Sequence, residues 1–227
     1  MTIQRSGQHI GLVGGTFDPV HYAHLVIAEE VRATLNLASM VFIPAGSPPH
    51  KQKQDCAPAH HRLAMLQLAI SGNPHFSISH VEIERPGPSY LADTLRILRE
   101  QWGPEQVLYF VLGWDSLTML HTWHDPQGIL AHLDYLVAVG RPGYSDEDET
   151  EYNKQLEARL PGITQRLLVV PVPQLEISST DLRNRIATGR PIKYQLPEVV
   201  ERYIADHRLY HAAQYQHTAQ NHLNAAE

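Results

Sequence analysis

Short apolar runs and longer amphipathic stretches take turns along the whole chain. Strands are predicted where apolar residues stand together or alternate with polar ones, over 9–13, 40–44, 76–83, 106–112, 134–139 and 167–172. The run 106–112, which contains Val-Leu-Tyr-Phe-Val-Leu, is the most strand-like of them. Helices are predicted between the strands. Over 23–35, Ile27, Val31 and Leu35 fall on one stripe; over 60–70, Leu63, Leu66 and Ile70 do the same. Gly87-Pro88-Ser89 reads as a turn, with Ser89 the N-cap of a helix carrying Leu91, Leu95 and Leu98. Another helix follows the strand that stops at Gly113-Trp114-Asp115 and runs to Leu120, and Asp125-Pro126 has the cap and first-turn signature of the next. The acidic run 146–151 reads as a solvated loop leading to a helix that ends at Leu160. Ser178-Ser179-Thr180-Asp181 opens a helix through Ile186, and a last helix spans 197–205.

Strict alternation of strands and helices predicts an α/β fold: a Rossmann-like, doubly wound, mainly parallel sheet with helices on both faces. No repeat or linker divides the chain, so one domain is expected over 1–211, followed by a polar, disordered tail over 212–227. In such sheets ligands bind beyond the carboxyl ends of the strands. The unusual residues sit there: Gly14-Gly15-Thr16, the proline-rich segment from Pro44 to Lys51, Gly113-Trp114-Asp115, Arg141, and the stretch from Ser178 to Arg183.

Composition narrows the classes. The 227 residues are 43% hydrophobic and 19% charged, enough for one sizeable core. A net charge of −6 argues against non-specific binding to nucleic acid. The single cysteine, Cys56, excludes an internal disulfide and a cysteine-based zinc site. No apolar run approaches the about 18 residues of a membrane span, and no signal-peptide pattern precedes the first glycines, so a cytoplasmic protein is expected. Histidines number 15, but outside one pair they are scattered, which gives little support to a metal-binding role.

The pair is His21 and His24. They follow Gly14-Gly15-Thr16-Phe17-Asp18-Pro19, where a buried strand turns into a helix start. Glycines let the backbone come close to a ligand, and free N–H groups with the positive end of the helix dipole favour an anion. Two imidazoles on one face beside such a cradle point to chemistry on phosphate. The stretch is neither a P-loop nor a Gly-x-Gly-x-x-Gly fingerprint. A second group, Ser178 to Arg183, supplies hydroxyls and an Arg that can fork onto phosphate oxygens; alone it is also an ordinary capped helix.

Together these stretches resemble the two signatures of the nucleotidyltransferase superfamily, with Ala23 where a Gly is usual between the histidines. The segment from Pro44 to Lys51, Pro88-Ser89-Tyr90 with Asp93-Thr94, Leu112 to Ser116, Trp123, and Arg141-Pro142-Gly143-Tyr144 are similar to the nicotinate-mononucleotide adenylyltransferases of bacteria. The resemblance implies that His21, His24, Gly15 and Thr16, within the stretch that includes Gly14 and Phe17, hold ATP phosphates. It implies that Ser179, Thr180 and Arg183 receive the β- and γ-phosphates, and that Gly113 and Asp115 line the nucleotide site. Trp123 is expected to stack on the pyridine ring. Ser89, Tyr90, Leu91, Ala92 and Thr94 form the substrate turn, with amides near Leu91 and Ala92 on the carboxylate. Lys51 and Arg141 are expected to neutralise phosphate. Leu91 stands where that family often has Thr.

The implied reaction joins ATP, with Mg²⁺, to nicotinate mononucleotide. The mononucleotide phosphate attacks the α-phosphorus in line, so positioning and charge stabilisation carry catalysis. An adenylyltransferase for nicotinamide mononucleotide or another phosphomonoester stays open, as does a non-catalytic nucleotide-binding regulator. A homo-oligomer is also left open.

Overall fold

Residues 7–48, 56–140 and 146–211 are described by the computed structural model. Along them run β1 (His9–Gly15), α1 (Tyr22–Thr34), β2 (Ser39–Pro44), α2 (Ala59–Ile70), β3 (Phe76–Ile78), α3 (Val81–Glu84), α4 (Leu91–Trp102), β4 (Val107–Gly113) and α5 (Trp114–Met119). A 3₁₀ turn over Leu120–Thr122 leads to α6 (Pro126–His132), β5 (Tyr135–Val139), α7 (Asp146–Arg159), β6 (Leu167–Val170), α8 (Ser179–Ala187) and α9 (Glu198–Asp206).

The strands form one six-stranded sheet in the order β3-β2-β1-β4-β5-β6, and all five pairings are parallel. Side chains alternate across a strand, and the core divides accordingly. Val107, Tyr109 and Val111 of β4 join Val31 of α1, Met65 of α2, Leu182 of α8 and Val200 of α9 on one face. Leu108, Phe110 and Leu112 join Leu95 of α4, Leu117 of α5, Ile129 of α6 and Leu156 of α7 on the other. Burial on both faces explains why these strands are apolar at successive positions rather than at every second one. The chain order reverses between β1 and β4, so the crevice above their carboxyl ends is the expected place for a ligand. Gly15 pairs with Pro44, and Gly113 with Val139, at the same end of the sheet.

Three local readings are corrected. The strand predicted over 76–83 ends at Ile78; His80 accepts hydrogen bonds from Ile83 N and Glu84 N, and one helical turn, α3, follows. The alternation of Val81 and Ile83 with Glu82 and Glu84 is not a half-exposed strand, because Glu82 is buried. Ser89 does not cap α4: Tyr90 is the N-cap, and no side chain caps it. The acidic run belongs to α7, which begins at Asp146, as carboxylates near a helix N-terminus favour. The predicted tail, 212–227, lies outside the described residues. Among the described residues no helix is long and apolar enough to cross a membrane.

Candidate active site

The loop from β1 to α1 is fastened by its carbonyls. Gly15 O accepts from Ala45 N at 2.9 Å. Thr16 O accepts from Arg62 Nη1 at 2.9 Å, Asp18 O from Arg183 Nη1 at 2.8 Å, and Pro19 O from Ser179 Oγ at 2.9 Å. In a planar trans peptide the next N–H points the opposite way. Tying down the Gly15 and Thr16 carbonyls therefore turns the amides of Thr16 and Phe17 away from the body of the protein. Phe17 has φ +50°, a costly value for a residue with a Cβ. Its ring holds it there: it is 1% exposed and meets the rings of His24 and Phe42 edge-on at 5.0 and 5.7 Å. Phe17 is thus a core side chain, and its ring is not available to line a nucleotide site. Gly15 suits that packing: a Cβ there would stand 3.1 Å from the Phe17 ring, close enough that the ring would have to give way.

Asp18, 1% exposed, is the knot behind the loop. One carboxylate oxygen accepts from Tyr210 Oη at 2.7 Å and Ala57 N at 3.2 Å; the other faces Arg183 Nη1 at 3.8 Å. Arg62 is likewise buried in α2 and also donates to Ala57 O at 2.9 Å. Burial lowers its pKa, with Asp18 acting in the opposite sense. Neither Arg62 nor Tyr210 stands in a motif. An arginine inside an apolar helix pattern is the only signal that could have marked Arg62.

His21 is the N-cap of α1 and His24 lies three residues on. Their rings stack with centroids 3.8 Å apart. Burial pulls the pKa of His21 down to about 4; burial, then the neighbouring His21, pulls that of His24 down to about 3. Both rings are neutral at pH 7. His24 Nδ1 accepts from His21 N at 3.3 Å, so its proton sits on Nε2, which is left to donate. His21 is 4% exposed; its side chain sits over the His24 amide as in a capping box, without a full hydrogen bond at Nδ1. An under-satisfied buried polar atom is costly.

Next to this loop opens a cavity of about 320 Å³ lined by Gly14, Gly15, Thr16, Ala45, Ser89, Tyr90, Leu91, Phe110 and Trp123, with Glu82 and His124 among the rest. Tyr90 and His124 stack with ring centroids 4.1 Å apart, joining the turn before α4 to the segment that carries Trp123. Leu91 starts α4 and Ala92 is buried behind it. Thr94 has 0% exposure and donates to Glu82 Oε1 at 2.7 Å, so it supports the wall and does not line the cavity. Burial raises the pKa of Glu82, while hydrogen bonds from Thr94 and Ser89 oppose the rise. Glu82 and His124 are cavity residues that sequence reasoning missed.

Gly113 and Asp115 are exposed at the end of β4, outside the cavity lining; a Cβ at Gly113 would meet no protein atom within 4 Å. Thr180 is exposed, and its hydroxyl lies 3.4 Å from Arg183 Nη2. Ser178 caps α8 through Asp181 N. Ser179, whose hydroxyl is spent on Pro19, clamps the loop. Lys51 and Arg141 lie outside the described residues. Among the described residues no three His, Cys, Asp or Glu side chains are placed to hold a metal ion.

Residues 12–185 match the cytidylyltransferase-like family. A protein of Thermomicrobium roseum named probable nicotinate-nucleotide adenylyltransferase is 48% identical over 201 residues, covering 88% of this chain and 91% of that one. A protein of the same name from Roseiflexus is 48% identical over 205 residues, 90% of this chain and 99% of its own. The solved structure of Plasmodium falciparum nicotinic acid mononucleotide adenylyltransferase complexed with NaAD superposes with a TM-score of 0.71 at 18% identity, covering 89% of this chain and 97% of that one.

Proposed function

Since this chain belongs to the cytidylyltransferase-like family and, within it, to the nicotinate-nucleotide adenylyltransferases, we propose how its residues share the work of the reaction. The protein joins ATP to nicotinate mononucleotide, giving nicotinate adenine dinucleotide and pyrophosphate, in NAD biosynthesis. The β1–α1 loop takes the triphosphate. Its turned amides at Thr16 and Phe17, and the neutral imidazoles of His21 and His24, donate to oxygens around the α-phosphorus, where charge builds up as the bond to pyrophosphate breaks. Arg183, with donors left beyond the one spent on Asp18, reaches the outer phosphates together with Thr180. Gly113 and Asp115 border the nucleoside. The mononucleotide lies in the cavity, its pyridine ring on Trp123 and its carboxylate at the amides of Leu91 and Ala92. Its phosphate is already ionised at neutral pH and attacks in line; no protein nucleophile is required.

Mg²⁺ would accompany ATP as its counter-ion. It would travel on the triphosphate oxygens and water, its usual habit with nucleotides, and supply positive charge there.

One observation carries this reading: two stacked, neutral imidazoles, His21 and His24, follow directly on a loop whose Gly14, Gly15 and Thr16 line a cavity that also holds Trp123. The test mixes the protein with ATP, Mg²⁺ and either nicotinate or nicotinamide mononucleotide and measures pyrophosphate. Nicotinate should be preferred by about tenfold or more in kcat/KM, because a carboxylate makes charge-assisted bonds that a carboxamide cannot match. Equal efficiencies would defeat the placement of the carboxylate.

A further inference from the structure

Helix α4 is twelve residues long and begins at the cavity without a side-chain cap. The residue placed to cap it, Ser89, is engaged elsewhere. Ser89 Oγ accepts from Gly46 N at 3.0 Å and from Ser47 N at 3.1 Å. A hydroxyl has two acceptor lone pairs and one proton. With both lone pairs taken, its proton is left to donate, and the carboxyl of Glu82 stands beside it in the cavity wall. Thr94 Oγ1, one turn into α4, donates to the same carboxylate at 2.7 Å, a shorter contact than its 3.1 Å to Tyr90 O. Glu82 itself is 8% exposed and lines the cavity. Gly46 packs against its backbone so closely that a Cβ there would lie 2.0 Å from Glu82 O.

We propose that Glu82 is the positioning residue for the mononucleotide: by drawing the hydroxyls of Ser89 and Thr94 onto one buried carboxylate, it holds loop 45–48 against α4 and leaves the first amides of that helix uncapped for the substrate's carboxylate. The inference rests on the placement of the mononucleotide given above. Its physical content is a count of donors and acceptors. A carboxylate accepts both hydroxyl protons. A glutamine in its place has one carbonyl oxygen and one NH₂ group, and the NH₂ group meets a Ser89 oxygen with no lone pair left. One of the two links must break, and Ser89 becomes free to turn toward the helix amides.

Steady-state kinetics on Glu82→Gln decide the matter. KM for nicotinate mononucleotide should rise about tenfold, the scale of a lost hydrogen bond to a charged group, and the nicotinate-over-nicotinamide preference should narrow by a similar factor. KM for ATP should stay within about twofold, and Glu82→Asp should restore part of the loss. Unchanged KM values would overturn the inference, and so would a parallel rise in both KM values, which is the mark of general loosening. If Glu82→Gln fails to fold, Thr94→Val is read by the same criteria. If the wild type releases no pyrophosphate with nicotinate mononucleotide, the functional reading has failed instead. Calorimetric binding of that mononucleotide to wild type and variant then decides the role of Glu82.

Discussion

The β1–α1 loop and the turn before α4 face one cavity and are held in opposite ways. The loop is fastened by cations and a hydroxyl from distant parts of the chain: Arg62 from α2, Ser179 and Arg183 from α8. The turn is fastened by a buried carboxyl close by in sequence, Glu82, to which Thr94 donates. In the proposed reaction both walls offer backbone amides. Arg62 and Asp18 stand behind the first wall and Glu82 is set into the second, so the direction of peptide groups is fixed before binding and less has to be ordered when an anion arrives.

The two walls should fail differently when cut. The largest effect is expected from His24→Ala, which removes a donor at the reacting phosphate: kcat should fall about 10²–10³-fold, with a smaller change in ATP affinity and little in KM for the mononucleotide. Near-normal turnover would remove His24 from the chemistry. Next is Arg62→Met, which strands Thr16 O and Ala57 O inside the protein. Stability in a denaturant titration should fall by about 3 kcal/mol, and kcat should drop along with it because the loop loses its clamp. Trp123→Ala tests the opposite wall. KM for nicotinate mononucleotide should rise about five- to tenfold, from lost stacking and burial, while KM for ATP holds. A matching rise in the ATP value would mean that the walls are not separable.

The smallest effect concerns pH. The folded pKa values of His21 and His24, about 4 and about 3, lie below the ordinary 6.5. Between these limits the unfolded chain binds more protons, so stability is highest above pH 6.5 and is lost as pH falls toward the folded values. The slope is on the order of 1 kcal/mol per pH unit for each ring. A His24→Asn variant should therefore show a shallower decline of Tm between pH 7 and pH 5 than wild type. Parallel declines would mean that His24 is not held neutral by the fold.

The alternation of strands and helices was legible because both faces of the sheet are covered, leaving near-continuous apolar strands between amphipathic helices. The glycine turn and the histidine pair were legible because their neighbours in space are also neighbours in sequence. What stayed hidden depended on burial. Glu82 and Glu84 look alike in sequence, but one is inside the cavity wall and the other is exposed. Ser89 has the identity and position of a helix cap and is diverted by partners 42 and 43 residues away. Arg62 falls on the apolar stripe of its helix, one turn before Leu66, and its reason for being there shows only when Thr16 claims it. Long-range polar contacts of this kind leave no periodic trace.

One bond ties the opposite ends of the described chain together. Tyr210 is 1% exposed and donates to Asp18 at 2.7 Å, across 192 residues. A contact of such separation is slow to form. The frame behind the glycines and histidines is therefore complete only once the segment after α9 has docked against the opening loop.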